Sequence, residues 1–136
     1  MFIKKKIVRL VEQHRLTKQV KFIKHCKNMP VAYKISDLIV SASIEPEAFG
    51  RVAVEAQSME KPILASDIGG SNETVQNNKT GFLFEAGNSA SLSKKILEIL
   101  KLDESKLKSM GNEGRKNIIK KFNVEKMCFS TYSEYK

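Results

Sequence analysis

The 136-residue sequence contains no tryptophan, two cysteines and two histidines. Cys26 and Cys128 stand far apart and lack the spacing of metal ligands, which predicts reduced thiols rather than a disulfide or a cysteine metal site. Long apolar runs are also lacking, since none approaches the ~20 residues of a membrane-spanning helix. Residues 1–4 lead into charged residues and not into a signal-peptide core. A cytoplasmic location is therefore expected.

Size and composition fit one globular domain over residues 1–136. A chain of this length can bury a core of its own. Its 41% hydrophobic and 29% charged residues are ordinary for a soluble globular protein. We find no internal repeat, low-complexity segment or long linker.

The formal net charge of +9 is concentrated at one end of the sequence. Residues 1–34 contain a single anion, Glu12, and ten cations: Lys4, Lys5, Lys6, Arg9, Arg15, Lys18, Lys21, Lys24, Lys27 and Lys34. Such an end suits an anionic membrane surface, a diphosphate or, with less support, a nucleic acid. Apolar residues at helical intervals within residues 2–11 are compatible with a basic amphipathic helix in peripheral contact with the inner membrane. A helix that packs its apolar stripe on a sheet is the favoured interpretation.

Residues 37–59 predict a strand, a tight loop and a helix, and the rest of the chain is organised around them. Residues 37–44 have the short β-branched run of a buried strand. After Phe49, four apolar residues recur at helical spacing: Val52, Ala53, Ala56 and Met59. A helix that begins at the carboxyl end of a strand presents free N–H groups and a dipole that favour an anion. Gly50 lets backbone approach a phosphate closely because it has no Cβ.

Two carboxylates bracket this predicted anion site. Glu47 precedes the helix, and Glu55 lies ~9 Å beyond Phe49 along the axis, at ~1.5 Å per residue. A carboxylate repels a phosphate, whereas it accepts hydrogen bonds from hydroxyl groups. The pattern therefore favours a ligand with hydroxyls on either side of a phosphate.

The spacing of Glu47 and Glu55, with Phe49 and Gly50 between them, resembles the signature of the family 4 retaining glycosyltransferases of the GT-B fold. Further segments follow in the family's order: residues 61–67 (KPILASD), 69–75 (GGSNETV), 80–84 (TGFLF) and Leu92. Residues 25–33 (HCKNMPVAY) resemble a subgroup found in bacterial lipopolysaccharide and exopolysaccharide enzymes. Two glutamates eight positions apart are a weak signal alone. The ordered string over residues 20–100 is specific and covers most of the chain.

The resemblance implies a Rossmann-like α/β fold with a parallel sheet flanked by helices, as in the carboxyl-terminal, donor-binding lobe of a two-lobed enzyme. The complete enzyme would transfer a sugar from a nucleotide sugar to a hydroxyl acceptor, with retention, for surface polysaccharide or lipopolysaccharide. Glu47 would be the catalytic residue and Glu55 would hold the ribose. The implied donor-binding residues are Phe49, Gly50, Arg51, Val52, Glu55, Gly69, Gly70, Glu73 and His25. No metal or other cofactor is implied, because the helix dipole and basic side chains neutralise the leaving diphosphate.

The resemblance also implies segments that have no counterpart in this sequence. These are the acceptor-binding lobe and two strands of the donor lobe, which carry the Arg and Lys that meet the diphosphate. In the related sheet, those strands lie between a strand predicted at residues 20–23 and the strand at Leu38. A strand edge without a hydrogen-bonded neighbour tends to pair with a strand of another chain. Three arrangements remain open: direct pairing of these two strands, strand exchange in a homodimer, or a separately encoded amino-terminal lobe. Turnover is not expected without the missing lobe.

The other helices and strands are predicted from the spacing of hydrophobic residues and from the residues that start and end such elements. Helices are predicted at residues 4–16, 30–33, 92–100, from Asp103 or Ser105 to 122, and from 124 onward. Strands are predicted at residues 63–66 and 82–84. Ser71 or Asn72 is expected to cap a short helix, and Gly111 and Gly114 to weaken theirs by up to ~1 kcal/mol each. Two other functions remain as alternatives: an inactive remnant whose basic end binds acidic surfaces or nucleic acid, and an unrelated α/β binding module.

Overall fold

The computed structural model describes residues 2–135 and is built around a parallel three-stranded sheet in the order β1-β2-β3. The strands are β1 (Ile39–Ser41), β2 (Ile63–Ser66) and β3 (Phe82–Phe84). The helices are α1 (Phe2–Gln13), α2 (Met29–Lys34), α3 (Arg51–Ser58), α4 (Ser71–Thr74), α5 (Ser89–Ile99), α6 (Glu104–Lys121) and α7 (Val124–Glu134). Ile39 lies opposite Ile63, and Leu64 lies opposite Phe82. The predicted Rossmann-like arrangement of strands and flanking helices is confirmed.

The central strand β2 is buried along its whole length and divides the core into two layers. Successive side chains of a strand point to opposite faces. Ile63 and Ala65 accordingly pack with Tyr33 of α2 and Ala53 of α3. The other layer contains Leu64, Phe82, Phe84, Ile99 and Met110. The sheet is thus covered by α2 and α3 on one face and by α5 and α6 on the other.

β1 is an edge strand, which corrects the prediction that it is buried. It is paired with β2 alone in the part of the chain that the structure describes. Val40, in its middle, is 41% exposed. The run of β-branched residues correctly indicated a strand. Full burial of β1 would need structure packed over Val40, and the described residues do not provide it.

The strand predicted at residues 20–23 is wrong. Val20 to Ile23 have no regular secondary structure, and Ile23 is 79% exposed. A strand needs a hydrogen-bonding neighbour, and β1 does not pair with this segment among residues 2–135. Direct pairing of the two predicted strands, one of the three arrangements left open above, is therefore excluded.

α1 does not bury its apolar residues, contrary to the favoured interpretation. Ile3 is 74% exposed, and Ile7 and Leu10 are nearly half exposed beside Lys4, Lys5 and Lys6. α7 likewise buries none of its residues. Cys26 and Cys128 are both free thiols, as predicted. Within residues 2–135, none of the helices has the length and apolar character needed to cross a bilayer.

The two helical glycines of α6 are needed where this helix approaches α3. A Cβ on Gly111 would collide with the carbonyl oxygen of Glu60 and lie 2.7 Å from its carbonyl carbon. A Cβ on Gly114 would lie 3.0 Å from Cγ of Gln57. Helix propensity alone predicted that these residues weaken α6. The packing shows their compensating role, because a side chain at Gly111 would push the two helices apart.

We predict that Gly111→Ala destabilises the chain by about 1–3 kcal/mol, although alanine is the better helix former. The added methyl group meets backbone, which cannot rotate away. Equilibrium urea denaturation measures the change. Asn112→Ala, at the neighbouring exposed position of α6, is the control and should be neutral or slightly stabilising. Equal stability of Gly111→Ala and wild type would contradict the packing described for α3 and α6.

Candidate functional site

Two loops at the carboxyl edge of the sheet pack backbone against backbone. The loop after β1 carries Glu47 and Phe49, and the loop after β2 carries Gly69 and Gly70. The N–H of Gly70 donates to the carbonyl oxygen of Glu47 at 2.8 Å. A Cβ on Gly70 would lie 2.5 Å from the carbonyl carbon of Phe49, and one on Gly69 would lie 2.7 Å from the Glu47 carbonyl oxygen. Only glycine permits this approach, so the pair fixes the position of the first loop.

Gly50 is the N-cap of α3 and has left-handed backbone, with φ 69° and ψ 50°. This conformation turns the chain from the loop into the helix and favours glycine. A Cβ here would lie 3.3 Å from the backbone nitrogen of Ser71. Gly50 thus approaches the second loop closely, and its predicted contact with a phosphate stays a prediction. The N–H of Ala53 is the first to donate to the Gly50 carbonyl oxygen, at 3.0 Å.

The N–H groups of Arg51 and Val52 precede that first bond at the start of α3. Such first-turn N–H groups have no partner within their own helix and favour an anion. The side chain of Val52 packs against the core. Its backbone N–H is therefore the group of Val52 that can meet a ligand at the start of α3. At α4, Gly70 occupies the N-cap position and no side-chain cap hydrogen bond forms. The prediction that Ser71 or Asn72 caps this helix is wrong, because the turn is fixed by loop packing.

Glu47 is exposed, and its Oε1 accepts a hydrogen bond from the hydroxyl of Ser43. Its backbone is held at the same time by the bond from Gly70. The side chain is thus placed at the outer end of the first loop, ahead of α3. A carboxylate has about four acceptor positions, so further acceptor capacity remains on Glu47.

Glu55 lies on the second turn of α3 and is held from two elements. Oε2 accepts from the Tyr33 hydroxyl of α2 at 2.8 Å, and Oε1 accepts from Nη2 of Arg51 at 3.1 Å. The Tyr33 hydrogen bond is the main cause that lowers the pKa of Glu55 below its ordinary value, and Arg51 adds to it. Burial, followed by the bond to Glu55, raises the pKa of Tyr33 to about 12. Glu55 is therefore an ionised acceptor with a fixed orientation.

The remaining predicted residues lie in different surroundings. The ring of Phe49 packs edge-to-face on the ring of Phe122, and the two ring centroids are 5.5 Å apart. Phe49 also lines a cavity of about 330 Å³ beside α7. Glu73 is exposed in α4. His25 is exposed in the irregular segment before α2, and no hydrogen bond joins it to the other predicted residues in the described part of the chain. The structure brings Glu47, Phe49, Gly50, Gly69 and Gly70 into direct contact and connects Arg51 with Glu55.

The sequence analysis assigned no functional role to Tyr33, Ser43 or Phe122. For Tyr33 and Ser43, features of the sequence could have indicated one. A tyrosine among core residues needs a partner for its hydroxyl, which could have pointed from Tyr33 to a polar group on the next helix. Ser43 is four positions before Glu47 in a loop. Phe122 gave no signal, because its contact with Phe49 spans distant parts of the sequence. None of the described residues forms a group of three His, Cys, Asp or Glu side chains that could hold a metal ion.

The site therefore combines free N–H groups at the start of a helix with two fixed carboxylate acceptors. Comparisons with known proteins agree with this architecture. The family model described as "Glycosyl transferases group 1" matches residues 3–117. The capsular polysaccharide biosynthesis glycosyltransferase CapM of Staphylococcus aureus is 33% identical over 106 residues, which are 78% of this chain and 27% of CapM.

Solved structures give the same result. A glycosyltransferase from Rickettsia africae superposes with a TM-score of 0.85 at 35% identity, over 97% of this chain and 35% of that one. Anabaena HepE, solved with UDP and glucose, superposes with a TM-score of 0.88 at 27% identity, over 97% of this chain and 36% of HepE. The chain spans about a third of the length of the relatives it matches. Its fold is that of the carboxyl-terminal lobe of GT-B enzymes.

We predict that Gly70→Ala destabilises the chain by about 1–3 kcal/mol. Gly70 has an ordinary helical φ of −60°, so the effect comes from collision with Phe49 and not from backbone strain. Asn72→Ala, exposed in α4, is the control and should change stability by less than about 0.5 kcal/mol. Urea denaturation compares the two. A Gly70→Ala variant as stable as Asn72→Ala would show that the loops do not pack as described.

Proposed function

The chain belongs to the group 1 glycosyl transferases, and from that membership we propose that it binds the nucleotide-sugar donor of a retaining glycosyltransferase. The complete enzyme would transfer a sugar to a hydroxyl acceptor in the synthesis of surface polysaccharide or lipopolysaccharide. The observation that carries the proposal is the start of α3, whose first-turn N–H groups follow Glu47 and precede Glu55 in the chain, and each of these carboxylates accepts a hydrogen bond. CapM, named for capsular polysaccharide, supports the pathway class.

Each part of the donor meets a chemically matched group in this proposal. Glu47 is the catalytic residue that positions hydroxyls of the donor sugar. The backbone of Phe49, Gly50, Arg51 and Val52 faces the sugar and diphosphate. Gly69, Gly70 and Glu73 line the second side of the crevice, and His25 lies towards the base. Glu55 accepts hydrogen bonds from the ribose hydroxyls, because its carboxylate stays ionised and oriented by Tyr33 and Arg51.

The leaving diphosphate is stabilised without a metal ion in this proposal. Charge develops on the diphosphate as the bond to the sugar breaks, and preorganised N–H groups at a helix start act on that charge directly. The anomeric configuration is retained when the acceptor hydroxyl attacks from the same face that the diphosphate leaves. An acceptor site would lie in the two thirds of the relatives that this chain does not match. The proposed partners of the chain are a separately encoded amino-terminal lobe or a second copy of the chain joined by strand exchange.

We predict that isothermal titration calorimetry at pH 7 detects UDP binding to the chain and that Glu55→Ala weakens it about tenfold. A tenfold loss is about 1.4 kcal/mol, which corresponds to about one hydrogen bond to a charged group. Glu98→Ala removes an exposed glutamate of α5 and is the control, with affinity unchanged. UDP is the first probe because HepE was solved with it. GDP and ADP test the other bases.

Absence of binding to all three nucleotides would contradict the proposal. Equal affinity of Glu55→Ala and wild type would place the nucleotide elsewhere.

We also propose that α1 makes peripheral contact with an anionic membrane. Its apolar residues Ile3, Ile7 and Leu10 are exposed next to Lys4, Lys5 and Lys6. A helix with an apolar face and adjacent lysines lies in the interface of an anionic bilayer, where each lysine contributes about 1 kcal/mol.

We predict that the chain co-sediments with vesicles containing phosphatidylglycerol and that binding falls steeply between 50 and about 200 mM salt, as screening of charges requires. Replacing Lys4, Lys5 and Lys6 by glutamine should reduce the bound fraction several-fold. The same change at Lys94, Lys95 and Lys101 is the control for net charge and should leave most of the binding. Vesicle binding that does not depend on salt concentration, or an equal loss of vesicle binding in both variants, would contradict a specific role of α1.

A further inference from the structure

Tyr33 is a buried side chain that contacts the site through its hydroxyl. It is 4% exposed and packs with Ala53, Ala56 and Ile63 in the layer beneath α2 and α3. α2, which carries it, is capped by Asn28, whose Oδ1 accepts from the N–H of Val31. Core packing therefore fixes the ring, and with it the position of the hydroxyl that donates to Glu55.

The second donor to Glu55 is held much less firmly. The side chain of Arg51 is 83% exposed, and its ion pair with Glu55 is a helical i,i+4 pair. Exposed pairs of this kind contribute little, because solvent screens them and the long side chain loses entropy. Tyr33 from α2 and Arg51 from α3 are the groups whose charges or hydrogen bonds act on Glu55. Of the two, Tyr33 can hold the carboxylate in one orientation.

The geometry also defines what remains free on Glu55. Oε2 accepts one hydrogen bond, from Tyr33, whereas Oε1 accepts from two nitrogens of Arg51, Nη2 at 3.1 Å and Nε at 3.4 Å. A carboxylate oxygen has about two acceptor positions, so Oε2 keeps one, and Oε1 offers one when a ligand hydroxyl replaces the longer bond from the exposed Arg51 side chain. Two such positions, side by side on one carboxylate, match two neighbouring hydroxyls of a single ring.

We propose that Tyr33 is a positioning residue, whose buried hydroxyl fixes the Glu55 carboxylate so that its free acceptor positions meet a pair of adjacent ligand hydroxyls. The inference rests on the proposed function, because the hydroxyl pair is assigned to the ribose of the donor nucleotide. Tyr33 itself does not touch the ligand. It acts by excluding other rotamers of Glu55.

The experiment is a double-mutant cycle on the full chain, with UDP as the probe and calorimetry at pH 7. Tyr33→Phe keeps the buried ring and removes only the hydroxyl. It should weaken UDP binding about five- to tenfold in the wild-type background and less than about twofold in the Glu55→Gln background, because the effect passes through Glu55. Tyr135→Phe, at an exposed position of the terminal segment, is the matched control and should bind UDP as wild type does.

A second readout needs no ligand. The pKa of the Glu55 carboxyl, followed by carbon NMR of its Cδ in the free chain, should rise towards the ordinary glutamate value in Tyr33→Phe and stay unchanged in Tyr135→Phe. Glu55→Asp keeps the charge and leaves the packing of Tyr33 intact, but its shorter side chain does not reach the hydroxyl. It should therefore lose affinity for UDP, which tests the proposal even where Tyr33→Phe is too unstable to study.

The outcomes separate this inference from the proposed function. An unchanged Glu55 pKa in Tyr33→Phe, or an equal loss of affinity in the wild-type and Glu55→Gln backgrounds, overturns the positioning role and reduces Tyr33 to a core residue. Full affinity of Glu55→Asp overturns it as well. Failure of the wild-type chain to bind any nucleoside diphosphate, with the Glu55 pKa still dependent on Tyr33, overturns the nucleotide assignment and with it the ligand part of this inference.

Discussion

The contact between the loops after β1 and β2 determines the geometry of the whole site. Gly69 and Gly70 bring one backbone against the other, and the N–H of Gly70 donates to the carbonyl oxygen of Glu47. This contact sets where Glu47 stands and where α3 begins, and α3 in turn carries Glu55. A site for a nucleotide sugar has to hold a sugar, a charged bridge and a ribose in one line. Rigid backbone contacts achieve this better than side chains alone.

Other surfaces of the molecule are left uncovered by the described residues. Val40 on β1, the apolar side of α1 and the aromatic residues of α7 are all exposed. Exposed apolar surface on this scale marks places where other structure packs. The relatives are about three times longer than the matched region. The edge that carries the candidate site is held by contacts within its own backbone, and the surfaces around it are where we propose that a further lobe, a second copy or a membrane packs.

Periodicity and motif order predicted the three strands of the sheet and the helices, because these depend on short stretches of sequence. Predictions that depended on distant partners were wrong. The strand at residues 20–23 lacks a neighbour, α1 is exposed, and β1 is an edge. The close approach of Gly50 to Ser71 was not predicted either, because it depends on a distant part of the sequence. The role of Tyr33 follows only from coordinates, since 22 positions separate it from Glu55.

The most direct test of the account is to map where a nucleoside diphosphate binds, by following backbone amide signals of the labelled chain in NMR during titration with UDP. The account predicts that the largest changes fall on residues 47–52 and 69–71, with smaller changes on residues 53–58 of α3. Changes confined to α1, α6 or α7, or no changes at millimolar UDP, would contradict the central claim that the start of α3 receives the diphosphate.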